Sequence, residues 1–116
     1  MQKEIKIGDQ IIPMRATAAT AYRYRQVFRT DLLVELTKDV PEAAKIEIFQ
    51  RLAYIMTAAA ANEDMNALSE SGYLDFLDRF EYLELVESLP SVVELYMASK
   101  TNMADAKKKQ GPQNGK

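Results

Sequence analysis

The side chains that could perform acid–base chemistry in this sequence are carboxylates in close pairs, because the chain contains no histidine and no cysteine. Asp75 and Asp78 are three residues apart, as are Glu84 and Glu87, so each pair shares a face if its segment is helical. A catalytic pair needs a cleft that separates its two pKa values. These carboxylates fall on outward positions of the predicted helices, so we predict no catalytic residue and no enzyme.

The sequence also has few residues that could bind a metal ion or a cofactor. Glu63 and Asp64 are adjacent, but a calcium loop needs further oxygen ligands at defined positions, and the sequence has no such pattern. The absence of histidine and cysteine removes the commonest transition-metal ligands. No glycine-rich phosphate loop is present. We therefore predict no metal site and no cofactor.

A group of arginines offers a different chemistry. Arg23, Arg25 and Arg29 are close in the sequence, and Tyr22 and Tyr24 lie among them. Basic groups contact phosphates and aromatic rings stack on bases, so the group suggests a small nucleic-acid-binding regulator. The chain has a net charge of −2, and nearby carboxylates can pair with these arginines. Nucleic acid is therefore the less favoured partner.

The charges are distributed unevenly along the chain. Residues 1–51 hold nine basic and seven acidic residues, residues 52–98 hold one and nine, and residues 99–116 hold five lysines and Asp105. This asymmetry predicts charge-guided association with another copy or with a basic partner. The alternative is solvated helix faces without a partner. No apolar run approaches the roughly 20 residues that span a membrane, so we predict a cytoplasmic protein without a membrane partner.

The longest segment with a helical pattern, residues 41–62, is predicted to be the central helix. Pro41 suits a first helical turn. Apolar residues recur in two adjacent rows at helical spacing, which indicates burial on several sides. The rows are Ile48, Leu52, Ile55 and Ala59, and Phe49, Ala53, Met56 and Ala60.

The remaining elements are predicted around this helix. Residues 3–14 should form a β-hairpin turning at Gly8-Asp9, with helices over residues 18–98. Asp31 should cap a short helix with Leu32, Leu33 and Leu36 inward; Ser71 should cap another, with Leu74 inward. The predicted fold is mainly α (α+β): a hairpin and about five helices in one domain, residues 1–98, followed by a disordered tail, residues 99–116.

The last helical pattern supplies the candidate partner-binding residues. Pro90 interrupts it, so we expect one helix to end near Leu89 and another to begin at Pro90. An apolar stripe with acidic residues beside it could cover apolar surface on a partner. The alternative is that the stripe is core. The candidates are the apolar residues Leu85, Leu89, Val93 and Tyr96 and the acidic residues Glu84, Glu87 and Glu94.

The order of these features resembles a protein family over roughly residues 3–100. The segments IKIGDQIIPMRATAAT, YRYRQVFRTDLLVEL, EIFQRLAYIMTAAA, YLDFLDRFEYL and VESLPSVVELYMAS carry the resemblance. The patterns RATAAT…YR…F…DLL and LP..VELY are its most specific parts. The chain is similar to the small tail assembly chaperones of long-tailed bacteriophages and prophages, especially those of Gram-positive hosts.

The resemblance implies a non-catalytic function. Such a chaperone binds the tape measure protein and keeps it soluble until the tail tube protein polymerises around it. It would act in the host bacterial cytoplasm, self-associate, and be absent from the mature virion. A longer form made by frameshifting is also implied, and Lys107-Lys108-Lys109 lies where a slippery adenine run would be encoded. A head–tail or tail component retained in the virion is the first alternative, and the nucleic-acid-binding regulator is the second.

Overall fold

An N-terminal two-stranded antiparallel hairpin precedes five α-helices over the described residues. The structure, a computed structural model, describes the backbone of residues 1–114 and the side chains of residues 1–100. The hairpin followed by five helices confirms the predicted mainly helical α+β class. The elements are β1 (Gln2–Ile7), β2 (Gln10–Arg15), α1 (Thr20–Phe28), α2 (Leu32–Thr37), α3 (Glu42–Ala60), α4 (Glu70–Leu77) and α5 (Tyr82–Asn114), with a short 3₁₀ turn at Met65–Ala67.

The hairpin turns at Gly8-Asp9, as its sequence predicts. Gly8 has a φ of +60°, which glycine adopts without the steric cost that a Cβ would add. A Cβ there would also collide with the Glu84 carboxylate. The pairing places Ile5 opposite Ile12. Both side chains are buried against the helices, so the pair needs α3 and α5 to be stable.

β1 runs along α5 in the opposite direction. At one end the Ser99 hydroxyl donates a hydrogen bond to the Ala16 carbonyl, at 3.4 Å, beside the start of β1. Further along, Lys3 lies 3.9 Å from Glu94 in an exposed ion pair, and the hairpin turn meets Glu84. β2 packs against α3. The hairpin therefore bridges the two longest helices.

α3 is the central helix that its two apolar rows predict. Leu52, Ala53, Ile55 and Met56 are each 1% exposed or less, and the helix contacts β2 and all four other helices. A helix that is apolar on most of its circumference is stable in water only when neighbours surround it. The alanines near its end allow those neighbours to approach closely.

The starts of the shorter helices were predicted in part. Asp31 caps α2, accepting hydrogen bonds from the amides of Leu33 and Val34 at 2.9 and 3.2 Å. The predicted cap Ser71 is wrong, because Ser69 caps α4 by accepting from the Gly72 amide at 2.9 Å. The inward assignments of Leu33 and Leu74 are also wrong. They are 45% and 59% exposed, since these short helices rest on the core by one narrow face.

α5 is one continuous helix through Pro90, so the predicted break near Leu89 is wrong. Proline inside a helix costs about 3 kcal/mol, because it cannot donate to the carbonyl four residues earlier. Here Leu85 and Leu89 before it and Val92 after it are buried on one face. Their packing holds both halves in line, and Pro90 itself is exposed.

Ser99 is the first residue after the predicted domain boundary at residue 98, and that boundary stays a prediction. Ser99 is buried, at 4% exposure, and bonded to the hairpin. The predicted disordered tail, residues 99–116, lies outside the described side chains from residue 101 onward and stays a prediction. Within the described part of the chain, none of the helices has the combination of length and apolar character that crossing a membrane requires.

Candidate functional site

α5 presents two different apolar rows to its surroundings. One row is core: Leu85, Leu89, Val92, Leu95 and Tyr96 are each 4% exposed or less. The other row, which we call the outer row, comprises Leu83, Val86, Pro90 and Val93. Leu83 is 70% exposed, Pro90 is exposed, and Val86 and Val93 are half-buried. The outer row is apolar surface that the fold leaves in contact with water.

Three residues of the outer row, Val86, Pro90 and Val93, form one wall of a groove whose other wall is α3, and Leu83 lies outside its lining. Ile46 and Phe49 of α3 are half-buried and face Val86, Pro90 and Val93 across an open space of about 420 Å³. Leu89 closes the floor and Glu42 stands at the edge. We call this the α3–α5 groove. Its lining is apolar side chains from two rigid helices, which is the usual construction of a site for another helix.

One carboxylate belongs to the groove lining. Glu42 lies there, at the start of α3, whereas Glu87 and Glu94 of α5 face the hairpin, Glu87 beside Lys6 and Glu94 near Lys3. All three are exposed. Glu94 lies 3.9 Å from Lys3, but both side chains are mostly in water, where such a pair contributes about 1 kcal/mol or less. Of these three acidic residues, only Glu42 is available to a partner in the groove.

The predicted partner-binding residues separate into two groups. Leu85, Leu89 and Tyr96 are buried, so the core alternative applies to them, although Leu89 also forms the floor of the groove. Glu84 is exposed and lies against the hairpin turn. Val93 lines the α3–α5 groove and remains a candidate. Glu87 and Glu94 are exposed on the hairpin side of α5, so their role in partner binding stays a prediction.

Sequence reasoning missed Ile46, Phe49, Leu83 and Pro90 as candidate site residues. The signal was present, since Leu83, Val86, Pro90 and Val93 are separated by three, four and three residues, the spacing of a helical stripe. The assumed break at Pro90 divided this row between two helices. Without a continuous α5, the row does not exist as a surface.

The arginine group does not form a single face. Arg23 is half-buried, whereas Arg25 is exposed on the other side of α1, given the 3.6-residue turn. Arg29 is exposed and follows the helix as its C-terminal cap, with a φ of +61°. Tyr24, proposed above as a stacking ring, is fully buried, and its hydroxyl donates to Glu35 at 2.8 Å. The nucleic-acid alternative is thus left with two of its arginines and with Tyr22, which is 54% exposed.

The most perturbed titratable groups lie away from the groove, in an aromatic cluster. Burial, with a smaller contribution from the bond to Glu35, raises the pKa of Tyr24 well above its usual range. Burial and the charge of Glu47 raise the pKa of Tyr73 to about 12. Because each phenol is covered by neighbouring rings, we assign them to the core. The cluster comprises Tyr24, Phe28, Tyr54, Tyr73, Phe76 and Phe80, with neighbouring ring centres 5.1 to 6.4 Å apart.

The carboxylate pairs lie on open helix surface. Asp75, Asp78, Glu84 and Glu87 are all exposed. Over residues 1–100, no group of three or more acidic side chains is arranged to hold a metal ion. Lys107-Lys108-Lys109, the basis of the frameshift prediction, lies outside the described side chains.

Comparison of the chain with models of protein families, with curated proteins and with solved structures gave no match.

Proposed function

We propose that this chain is a phage tail assembly chaperone that binds the tape measure protein in the α3–α5 groove and keeps it soluble during tail assembly. The identity of the partner comes from the family resemblance of residues 3–100. The observation that carries the mechanism is the outer row, whose apolar side chains stay in water. Val86, Pro90 and Val93 of this row line the groove, Leu83 is 70% exposed at the start of the same row, and contiguous exposed apolar surface is typical of a binding site.

In the proposed mechanism, the groove covers the apolar face of a helix of the client protein. A long helical client with an unpaired apolar face associates with other copies of itself, because that association removes the face from water. A groove of apolar side chains offers the same burial without growth of an aggregate. The nine acidic residues among residues 52–98, against one basic residue, keep the complex charged, which favours solubility. No bond is made or broken, so the activity needs no catalytic residue, metal or cofactor.

The resemblance also supplies the setting of this proposal. The chain would act in the host bacterial cytoplasm, release the client as the tail tube protein polymerises, and be absent from the finished particle. Self-association stays a prediction, based on the acidic second half and the more basic first half of the chain.

Co-expression with the tape measure protein of the same genome tests the proposal. We expect the chain to raise the soluble fraction of the tape measure protein and to co-elute with it from an affinity column. A Leu74→Glu variant serves as control, because Leu74 is 59% exposed but lies on α4; it should act like the wild type. An unchanged soluble fraction without co-elution, also with any longer form of the chain, would contradict the proposal.

Mass spectrometry of purified particles separates the chaperone from the virion component. A chaperone should be missing from the particle, whereas a head–tail or tail component should be present in a fixed ratio to the tube protein. Detection in such a ratio would replace the proposed function by the structural alternative.

A further inference from the structure

The outer edge of β1 carries backbone groups that point away from β2. The Ala16 amide donates to the Met1 carbonyl at 2.8 Å, and the Met1 nitrogen donates to the Ala16 carbonyl at 2.9 Å. Hydrogen-bonded pairs alternate with non-bonded pairs along an antiparallel ladder. The N–H and C=O groups on the outer edge therefore belong to Gln2, Glu4 and Lys6.

This outer edge is open. Over the described residues, its N–H and C=O groups have no hydrogen-bond partner in another strand, helix or loop, and its three residues are exposed. An open space of about 310 Å³ lies between Lys6 and α5, where Ser88 and Ser91 present small side chains. A further strand, at the usual spacing of about 4.8 Å, can therefore lie along this edge and pair with it.

The opposite edge of the hairpin, on β2, is blocked. Its outward backbone groups belong to Ile11, Pro13 and Arg15, and the proline in the middle has no amide to donate. Proline on an edge strand is a common protection against pairing with another chain. Each copy therefore offers one edge, so strand pairing between copies closes at two chains instead of growing into a fibre.

Charge selects one register for two copies that pair through β1. A pair made from the same edge twice is related by a two-fold axis, so the two strands are antiparallel and their contacts are reciprocal. One register sets Glu4 against the partner's Glu4, and like charges directly opposite are destabilising. The neighbouring register with the same hydrogen-bond pattern sets Glu4 against the partner's Lys6. Because the contacts are reciprocal, that register contains two opposite-charge pairs.

The same register also pairs charges on the side that faces α5. Side chains alternate along a strand, so Ile7 lies opposite the partner's Lys3 on that side. The turn after Ile7 lies against Glu84 and Glu87 of α5, which are exposed and form no ion pair among the described side chains. Lys3 is held only by a 3.9 Å pair with Glu94 that is mostly in water. Lys3 of each copy can thus reach the carboxylates of the other.

We infer that the outer edge of β1 is a self-association site, at which two copies join their hairpins into one four-stranded antiparallel sheet. Glu4 and Lys6 set the register. The backbone groups of the two edges supply hydrogen bonds that each hairpin alone leaves to water. The inference goes beyond the proposed function, because it concerns contact between copies and does not depend on the tape measure protein.

Sedimentation of the purified full chain at several concentrations tests the inference. The wild type should form a dimer of two 13.1 kDa chains. Glu4→Lys opposes lysine to lysine, and Lys6→Glu opposes glutamate to glutamate, so each variant alone should dimerise about tenfold more weakly. An equimolar mixture of the two variants should dimerise like the wild type, since each lysine then meets a glutamate. Recovery in the mixture also shows that both variants are folded.

A proline in each edge tests the backbone contribution. Glu4→Pro removes an outward amide of β1, and the matched control Ile11→Pro removes an outward amide of β2; both spare the bonds within the hairpin. The first should be monomeric and the second should dimerise like the wild type, with circular dichroism as the check on folding. If Glu4→Pro does not fold, the charge variants decide. A monomeric wild type, a dimer that the Glu4 variants leave unchanged, or a mixture that does not recover would overturn the inference.

Discussion

The aromatic cluster and the α3–α5 groove both use side chains of α3, yet the cluster is closed and the groove is open. α1 and α4 bring rings onto α3, and α2 adds the Glu35 carboxylate over the Tyr24 hydroxyl. At the groove, α3 meets only α5, so Ile46 and Phe49 stay half-buried. Two helices leave a furrow between them, and a third element is needed to fill it. Residues in the closed cluster therefore stabilise the fold, whereas residues in the open groove are available to a partner.

The largest expected effect lies in the closed region. Phe28→Ala removes a ring that packs against Tyr24 and Tyr73 and lies 4.9 Å under the Arg51 guanidinium. We expect a loss of about 3–5 kcal/mol in the free energy of unfolding, measured by urea denaturation. Phe49→Ala, in the groove, should cost only about 1–2 kcal/mol, because part of its ring is already in water. Equal losses would contradict the distinction between the two regions.

Pro90→Ala should act in the opposite direction. The change restores an amide donor for the Val86 carbonyl and removes the ring from the interior of α5, so we expect a gain of about 1–3 kcal/mol. The same denaturation curves measure it, and an unchanged slope would show that the unfolded state is unaffected. A loss of stability would mean that the Pro90 ring packs as core rather than as groove lining.

Alkaline pH should weaken the closed region. The pKa of Tyr73 is raised by burial from 10.0 to about 12, so its stabilising contribution is complete below pH 10 and is lost as the pH rises toward 12. The free energy of unfolding should fall over that interval, by up to about 1.4 kcal/mol per pH unit for one proton. Tyr73→Phe should reduce the slope, whereas Tyr22→Phe, at an exposed ring, should not. Identical slopes in the wild type and both variants would refute the assignment.

The smallest expected effect is on the element that covers Tyr24. Asp31→Ala removes the side-chain acceptor for two amides at the start of α2, which should cost about 1 kcal/mol. Thermal denaturation followed by circular dichroism is sensitive enough to detect it. Asp31→Asn is the control, because asparagine is an equally good cap. A full loss in the asparagine variant would point to charge rather than capping.

The sequence predicts the fold best where local chemistry and burial agree. The Gly8-Asp9 turn, the Asp31 cap and the two apolar rows of α3 are examples. It fails where tertiary packing overrides a local rule. Pro90 carries a strong local signal for a helix end, but the buried residues on both sides of it hold one continuous helix. That same error concealed the groove, since the outer row exists only when α5 is unbroken.

The sequence pattern also could not predict how much of each apolar side chain is exposed to water. Leu33, Leu74 and Leu85 are equally apolar, yet the first two are 45% and 59% exposed and the third is 2% exposed. Periodicity identifies which residues share a face. Whether that face is buried depends on whether another helix or strand of the fold packs against it.

The central claim is that the α3–α5 groove holds the tape measure protein, and one pair of variants tests it most directly. Pro90→Glu places a charge in the groove, while Pro90→Ala makes the same backbone change without the charge; both should fold, because Pro90 is exposed. Each is co-expressed with the tape measure protein, and the soluble fraction and co-elution are measured. We expect the alanine variant to behave like the wild type and the glutamate variant to leave the tape measure protein insoluble. Equal solubilisation by both variants would contradict the claim.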